Sequence, residues 1–173
     1  MSSHFEVPLW LLIGLPGSGK STWAKYFSRG EPPLKLIATD QIRGQLFGDE
    51  AIQGAWFLVW NQVVGQLQQA ALQTKDGRLG GAIYDATNTR RRGRRDVINT
   101  VRDAGFSKIL AVWFDTPIAL CLQRNQQRSR QVPPDVIHTM ARQLAGAPPH
   151  VDEGFDALFQ ICPSVKASVV SPE

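Results

Sequence analysis

Apolar residues along this chain fall into two patterns. Some form short unbroken runs, such as Leu9 to Ile13; others recur every three or four positions over longer stretches. An unbroken run is what a parallel strand covered on both faces requires. Leu9 to Ile13, Leu34 to Ala38, Gly80 to Tyr84 (closing at Asp85), Lys108 to Phe114 and Phe155 to Ile161 are therefore predicted strands. The intervening stretches predict helices from Lys20 to about Arg29, Gln41 to Leu46, about Ala51 to Lys75, about Arg90 to Ala104, Thr116 to about Gln127, and Asp135 to Leu144. Their punctuation fits: Thr39 or Asp40 as a helix cap, Gly105 just past a helix end, Thr116-Pro117 as cap and first position, and a break at Pro133-Pro134. In the longest helix Ala55, Trp56, Val59, Trp60, Val63, Val64 and Leu67 keep one face; Trp56 and Trp60 could offer stacking surface, but that face assigns both to the core. Strands alternating with helices predict an α/β sandwich around a mostly parallel sheet, with ligands beyond the carboxyl ends of the strands.

Composition narrows the class without deciding function. At 173 residues, with 43% apolar and 20% charged positions, the chain fits one domain with a real core. A net charge of +4 permits a polyanionic partner without requiring one. Two cysteines, Cys121 and Cys162, are too few for a disulfide framework; they are expected to be reduced and buried, as in a cytoplasmic protein. No apolar stretch reaches membrane-spanning length, and no secretory leader is apparent. Residues 164–173 are small and polar and are expected to fray.

The chemistry starts at Gly14-Leu15-Pro16-Gly17-Ser18-Gly19-Lys20-Ser21, which fits G-x-x-x-x-G-K-[ST] between a predicted strand and a predicted helix. Glycines let backbone N–H groups turn inward onto a phosphate chain. Gly14, Pro16, Gly17, Ser18, Gly19, Lys20, Ser21 and Thr22 are the expected nucleotide-binding residues. Lys20 would reach the β- and γ-phosphates, and Ser21 would help hold Mg²⁺. ATP and Mg²⁺ are the expected cofactors. The predicted fold is a P-loop NTPase three-layer sandwich, adenylate-kinase-like, with a helical lid at about residues 118–146.

Each remaining strand end carries a candidate. After the second strand come Asp40 and Arg43. A carboxylate there can accept the proton of an attacking hydroxyl, or it can simply cap a helix. After the third comes Asp85, either a Mg²⁺-holding acid or a turn former, with Asn88 and Thr89 as possible caps. After the fourth, Leu120, Arg124 and Arg128 share one stripe, and Arg130 follows. Those arginines could clamp phosphates in the transition state, or form a solvated basic face. Arg90, Arg91, Arg92, Arg94 and Arg95 crowd a helix start, against the helix dipole, so an anion should compensate them. A nucleic-acid backbone and a solvated surface run are equally open readings. His4, His138 and His150 show no metal-ligand spacing.

Taken together, Gly14 to Ala24, Thr39-Asp40-Gln41-Ile42-Arg43, Asp85-Ala86-Thr87-Asn88, Phe114-Asp115-Thr116-Pro117, Leu122-Gln123-Arg124-Asn125 with Arg128, and Val132 to Val136 resemble the 5′-hydroxyl polynucleotide kinase family. That family includes the kinase modules of nucleic-acid end-healing enzymes. The resemblance spans roughly residues 9–145. It implies Asp40 as general base on the acceptor 5′-hydroxyl and Arg43 on the neighbouring acceptor phosphate. It implies Arg124 and Arg128 as lid arginines on ATP, and Asp85, as a weaker transfer, near the metal. It also implies a 5′-OH end of DNA or RNA as partner. The family's larger members carry an attached phosphatase or ligase, for which this chain has no room, so either would be a separate protein. Two other classes stay open: a small-molecule kinase acting on a sugar, nucleoside or antibiotic, and a nucleotide-dependent binding module without transfer.

Overall fold

The structure is a computed structural model that describes residues 6–50, 52 and 54–163. The expected fraying of 164–173 lies outside the described residues. Five strands form one sheet: β1 (Pro8–Gly14), β2 (Leu34–Ala38), β3 (Gly81–Asp85), β4 (Lys108–Phe114) and β5 (Ala157–Ile161). Their order is β2-β3-β1-β4-β5, and every neighbouring pair is parallel. The carboxyl ends of all five therefore open on the same side, and β1 lies at the centre.

Side-chain alternation divides β1 between two cores. Leu9, Leu11 and Ile13 face one apolar cluster, with Val59, Val63 and Leu67 from the helix α3 (Trp56–Lys75) and Val97, Ile98 and Val101 from α4 (Arg91–Asp103). Leu12 and Trp10 face the other, with Ala24, Trp23 and Phe27 from α1 (Lys20–Phe27). Trp23 stacks on Phe27 with centroids 4.4 Å apart, and Trp10 meets Phe27 edge-on at 5.0 Å. A sheet with helices on both faces is the expected three-layer sandwich. The remaining helices are α2 (Thr39–Phe47), α5 (Ile118–Gln126) and α6 (Pro134–Gly146), the last two forming the segment expected as a lid.

Several expectations need correction. The long helix begins at Trp56, because Gly54 takes a left-handed φ of +50° and Ala55 is extended; the expected start, Ala51, lies outside the described residues. Trp56 is half exposed, not core. Twenty residues of α3 span about 30 Å, whereas a five-residue strand spans about 17 Å, so the helix overshoots the sheet. Its carboxyl end is tied by a short turn to β3, so the surplus lies at the amino end, over the carboxyl ends of the strands. Neither Thr39 nor Asp40 caps α2: both lie within it, and the cap position is Ala38. Thr116 does not cap α5 either; its hydroxyl donates to the Ser18 carbonyl at 3.0 Å. Asn88 and Thr89 precede the α4 cap, Arg90, and bond elsewhere. Cys121 is buried and free, but Cys162 is exposed.

The arginine run also divides. Arg94 is fully buried, in phase with Val97, Ile98 and Val101. Its Nε and Nη2 donate to the two carboxylate oxygens of buried Glu153, each at 2.7 Å. Its remaining N–H groups reach the carbonyls of Asn88, Thr89 and Ala147. The anion that compensates Arg94 is thus internal, which removes it from any nucleic-acid surface; Arg90, Arg91, Arg92 and Arg95 are exposed.

Candidate active site

Gly14 ends β1 and begins the glycine-rich loop; Gly19 is the cap residue of α1. Gly17 and Gly19 take φ of +81° and +103°, conformations that side-chain-bearing residues rarely adopt. A Cβ at Gly17 would stand 2.5 Å from the Cys121 carbonyl oxygen, so α5 is packed directly against the loop. Neighbouring strands strap it in place. The Gly14 N–H donates to the Thr87 carbonyl at 3.0 Å, and the Asn88 side-chain amide donates to the Leu12 carbonyl at 2.7 Å. With the Thr116 contact to Ser18, the loops after β3 and β4 both hold the first loop rigid.

No side chain caps the start of α1, and its first turn holds no acid. Its amide donors and dipole are therefore available to an anion. Lys20 opens this helix and is buried. Its Nζ donates to the Leu15 carbonyl at 2.8 Å and the Ser18 hydroxyl at 3.3 Å. Burial lowers its pKa to about 8, against the pull of the Asp85 carboxylate, which favours the charged form. Asp85, at the tip of β3, is raised by burial, with Lys20 and a hydrogen bond from Ser21 opposing the rise. The loop, buried Lys20 and Asp85, and exposed Ser21 thus form one polar cluster that fits a polyphosphate with a divalent cation. Among the described residues no group of three or more His, Cys, Asp or Glu gathers as a metal cage. A Mg²⁺ here would be held by Ser21, Asp85 and phosphate oxygens.

Asp40 sits in the first turn of α2, half exposed. Arg43 Nη1 donates to its Oδ1 at 2.8 Å, and Arg130 Nη1 lies 3.3 Å from the same oxygen. Asp40 and Arg128 both lie near enough to act electrostatically on Lys20, though burial and Asp85 act more strongly. Arg124 Nη1 donates to the Gly17 carbonyl at 3.4 Å. The structure thus brings Asp85 and Ser21 to Lys20, sets Asp40 and Arg128 within electrostatic reach of it, pairs Arg43 with Asp40 and rests Arg124 on the loop; the run from Arg90 to Arg95 is not part of this group. Pro16, Ser18 and Thr22 lie in or directly after the loop.

Two further neighbours stand by Asp40 and Arg43. The sequence groups Arg130 with Arg124 and Arg128 as a phosphate clamp or a solvated basic face; the structure places it 3.3 Å from the Asp40 carboxylate. Trp56 was assigned to the core, yet its ring lies 5.7 Å from the Arg43 guanidinium carbon. An open groove of about 620 Å³, lined by Pro8, Trp10, Phe27, Pro32 and Leu34, lies at the opposite, amino end of the strands, remote from this chemistry.

A parallel sheet with this loop after its central strand, a buried lysine, an acid on the adjacent strand and an arginine-bearing helical segment is the architecture of a P-loop kinase. The chain belongs to the AAA_33 family (AAA domain), whose model matches residues 9–147. It is 30% identical over 138 residues to L-seryl-tRNA(Sec) kinase of Methanococcus maripaludis, a match covering 75% of this chain and 49% of that protein. It superposes on a chain of the Pnkp1/Rnl/Hen1 RNA repair complex with a TM-score of 0.69 and 25% identity, covering 99% of this chain and 53% of that one. The chain thus spans about half the length of these relatives. A sugar kinase from Janibacter shares the fold, with a TM-score of 0.60 at 16% identity over 90% of this chain and 85% of that one. Among the described residues no helix is long and apolar enough to cross a membrane.

Proposed function

We propose that this protein is an ATP- and Mg²⁺-dependent kinase that phosphorylates the 5′-hydroxyl end of a nucleic acid. The observation that carries this reading is the position of Asp40, between two arginines and within electrostatic reach of Lys20. A carboxylate there is poised to take a proton from a hydroxyl brought to the loop, and cations around it suit an acceptor that carries phosphate. A seryl-tRNA kinase and a chain of an RNA repair complex among the relatives support a hydroxyl borne on RNA over a free sugar.

ATP held with Mg²⁺ at the loop would supply the γ-phosphoryl group, the acceptor oxygen taking the place of ADP on phosphorus. Asp40 accepts the acceptor's proton. Arg43 orients the acceptor through its adjacent phosphate. Lys20 and the α1 amides hold the donor phosphates, and Ser21 and Asp85 hold the metal. Arg124 and Arg128 neutralise charge on the transferring group and exclude water. Positioning and electrostatics supply most of the rate in such transfers.

The test offers γ-labelled ATP with 5′-OH RNA, 5′-OH DNA, seryl-tRNA, nucleosides and sugars. The reading expects label on a 5′-OH end, with 5′-phosphorylated oligonucleotides inert. Label confined to sugars would replace it with small-molecule phosphorylation; label confined to seryl-tRNA would move the acceptor to an aminoacyl hydroxyl. A kinase that makes 5′-phosphate ends fits beside a ligase that consumes them and a phosphatase that prepares the other end.

A further inference from the structure

Trp56 is out of place for a structural tryptophan. It is 50% exposed at the first position of α3, where the helix overshoots the sheet. It is nevertheless held. Its ring stacks on Trp60 at 6.1 Å with 26° between the planes, and the Arg43 guanidinium carbon lies over it, 5.7 Å from its centroid. Arg43 is itself mostly buried, and its Nε has no hydrogen-bond partner among the described residues. One guanidinium therefore links the Asp40 carboxylate to an indole that is half exposed to solvent.

We propose that the open surface of Trp56 is the platform on which the 5′-terminal base of the acceptor stacks. This rests on the acceptor reading above and adds to it the group that selects a nucleoside over a plain alcohol. Every base has a π-face, so a stacking platform accepts all four while rejecting acceptors that lack an aromatic ring. Arg43 beside the ring adds attraction for a base that joins the stack, and its phosphate-facing charge keeps the sugar in register with Asp40. The neighbouring Trp60 fixes the plane in advance, so little ordering is required on binding.

The experiment compares wild type, Trp56→Ala and Trp56→Phe on two acceptors: a 5′-OH oligonucleotide, and the same oligonucleotide with an abasic 5′-terminal sugar. Wild type is expected to lose about tenfold in kcat/KM on the abasic end, through KM for the acceptor. Trp56→Ala is expected to lose about tenfold on the normal end and to treat both ends alike. Trp56→Phe should restore most of the discrimination, and KM for ATP should not move in either variant. Discrimination unchanged in Trp56→Ala overturns the platform while leaving the kinase reading intact. Wild-type label on no base-bearing acceptor overturns both, and is recognised by that result alone. Sedimentation at matched concentration closes the remaining route: a fall in mass in Trp56→Ala with discrimination intact assigns the surface to a second copy of the chain and overturns the proposal.

Discussion

Arg130 closes on Asp40: a guanidinium from the turn between α5 and α6 stands 3.3 Å from a carboxylate that follows β2. With Arg43 on the same oxygen at 2.8 Å, the carboxylate is held from its own helix and from the lid segment at once. Asp40 is 47% exposed, so the Arg130 contact is worth no more than about 1 kcal/mol in stability. Its consequence is orientation. Arg130→Ala is expected to leave the denaturation midpoint nearly unchanged and to lower kcat by about tenfold. Asp40→Asn should lower kcat by about 10²- to 10⁴-fold with nucleotide affinity preserved. Steady-state rates on a 5′-OH oligonucleotide, paired with a nucleotide titration, check both; wild-type turnover in Asp40→Asn removes the base from the mechanism.

Lys20 predicts a dependence of stability on pH. Burial holds its pKa at about 8, below the ordinary 10.5. Between those values the unfolded chain binds more protons than the folded one, so the nucleotide-free wild type gains stability as pH rises through that window. Full conversion of the shift is on the order of 3 kcal/mol. Lys20→Met has no proton to release, so the wild-type-minus-variant difference should climb from pH 8 to pH 10 in urea unfolding curves. A bound polyphosphate favours the charged lysine, so nucleotide affinity should fall over the same range in wild type alone. A pH-independent difference would mean that Lys20 is not desolvated.

Much of the site was legible because its residues sit at strand ends, where local pattern and chemistry coincide. Gly14 to Ser21, Asp40 and Asp85 each follow an apolar run, and parallel strands deliver such residues to one edge. β2 and β4 ran as the alternation indicated. What failed depended on distance. Trp56 kept helical phase with Val59 and Val63, and nothing in that phase reveals that the sheet ends beneath it. Thr116 had the sequence of a cap, but its partner, Ser18, is 98 residues away. Arg94 did carry a signal: it falls at i−3, i−4 and i−7 from Val97, Ile98 and Val101, on the buried face. Its partner, Glu153, could not be read from the chain.

The lid arginines should separate binding from chemistry. Arg124 is exposed and donates to the Gly17 carbonyl at 3.4 Å, while Arg128 acts through space on Lys20 and Asp85. Neither contact contributes much to folding. Arg124→Ala and Arg128→Ala are each expected to lower kcat by about 10²- to 10³-fold, as the loss of one preorganised donor does, with thermal midpoints unchanged. Single-turnover rates with saturating ATP measure this directly. Full activity in either variant would return that arginine to the solvated surface.

Glu153 is the residue on which the fold's integrity near the site is expected to turn. Its carboxylate is buried and meets Arg94 through two 2.7 Å hydrogen bonds, and it also accepts from the His150 backbone N–H at 3.2 Å. Arg94 in turn holds the Asn88 and Thr89 carbonyls, beside the strap on the loop, and the Ala147 carbonyl at the end of α6. Thr89 reinforces the junction by donating to the Gln143 side chain at 2.7 Å. Removing one partner leaves the other charge buried without compensation, which costs about 3–5 kcal/mol. Glu153→Gln and Arg94→Met should both fall in that range by urea unfolding. The double variant should recover part of the loss, because no orphaned charge remains. Exposed Arg92 and Arg95, from the same run, should each change stability by less than about 0.5 kcal/mol on substitution by alanine. Equal sensitivity across all of these arginines would show that the run acts as one surface, and that the internal pair does not organise this corner of the site.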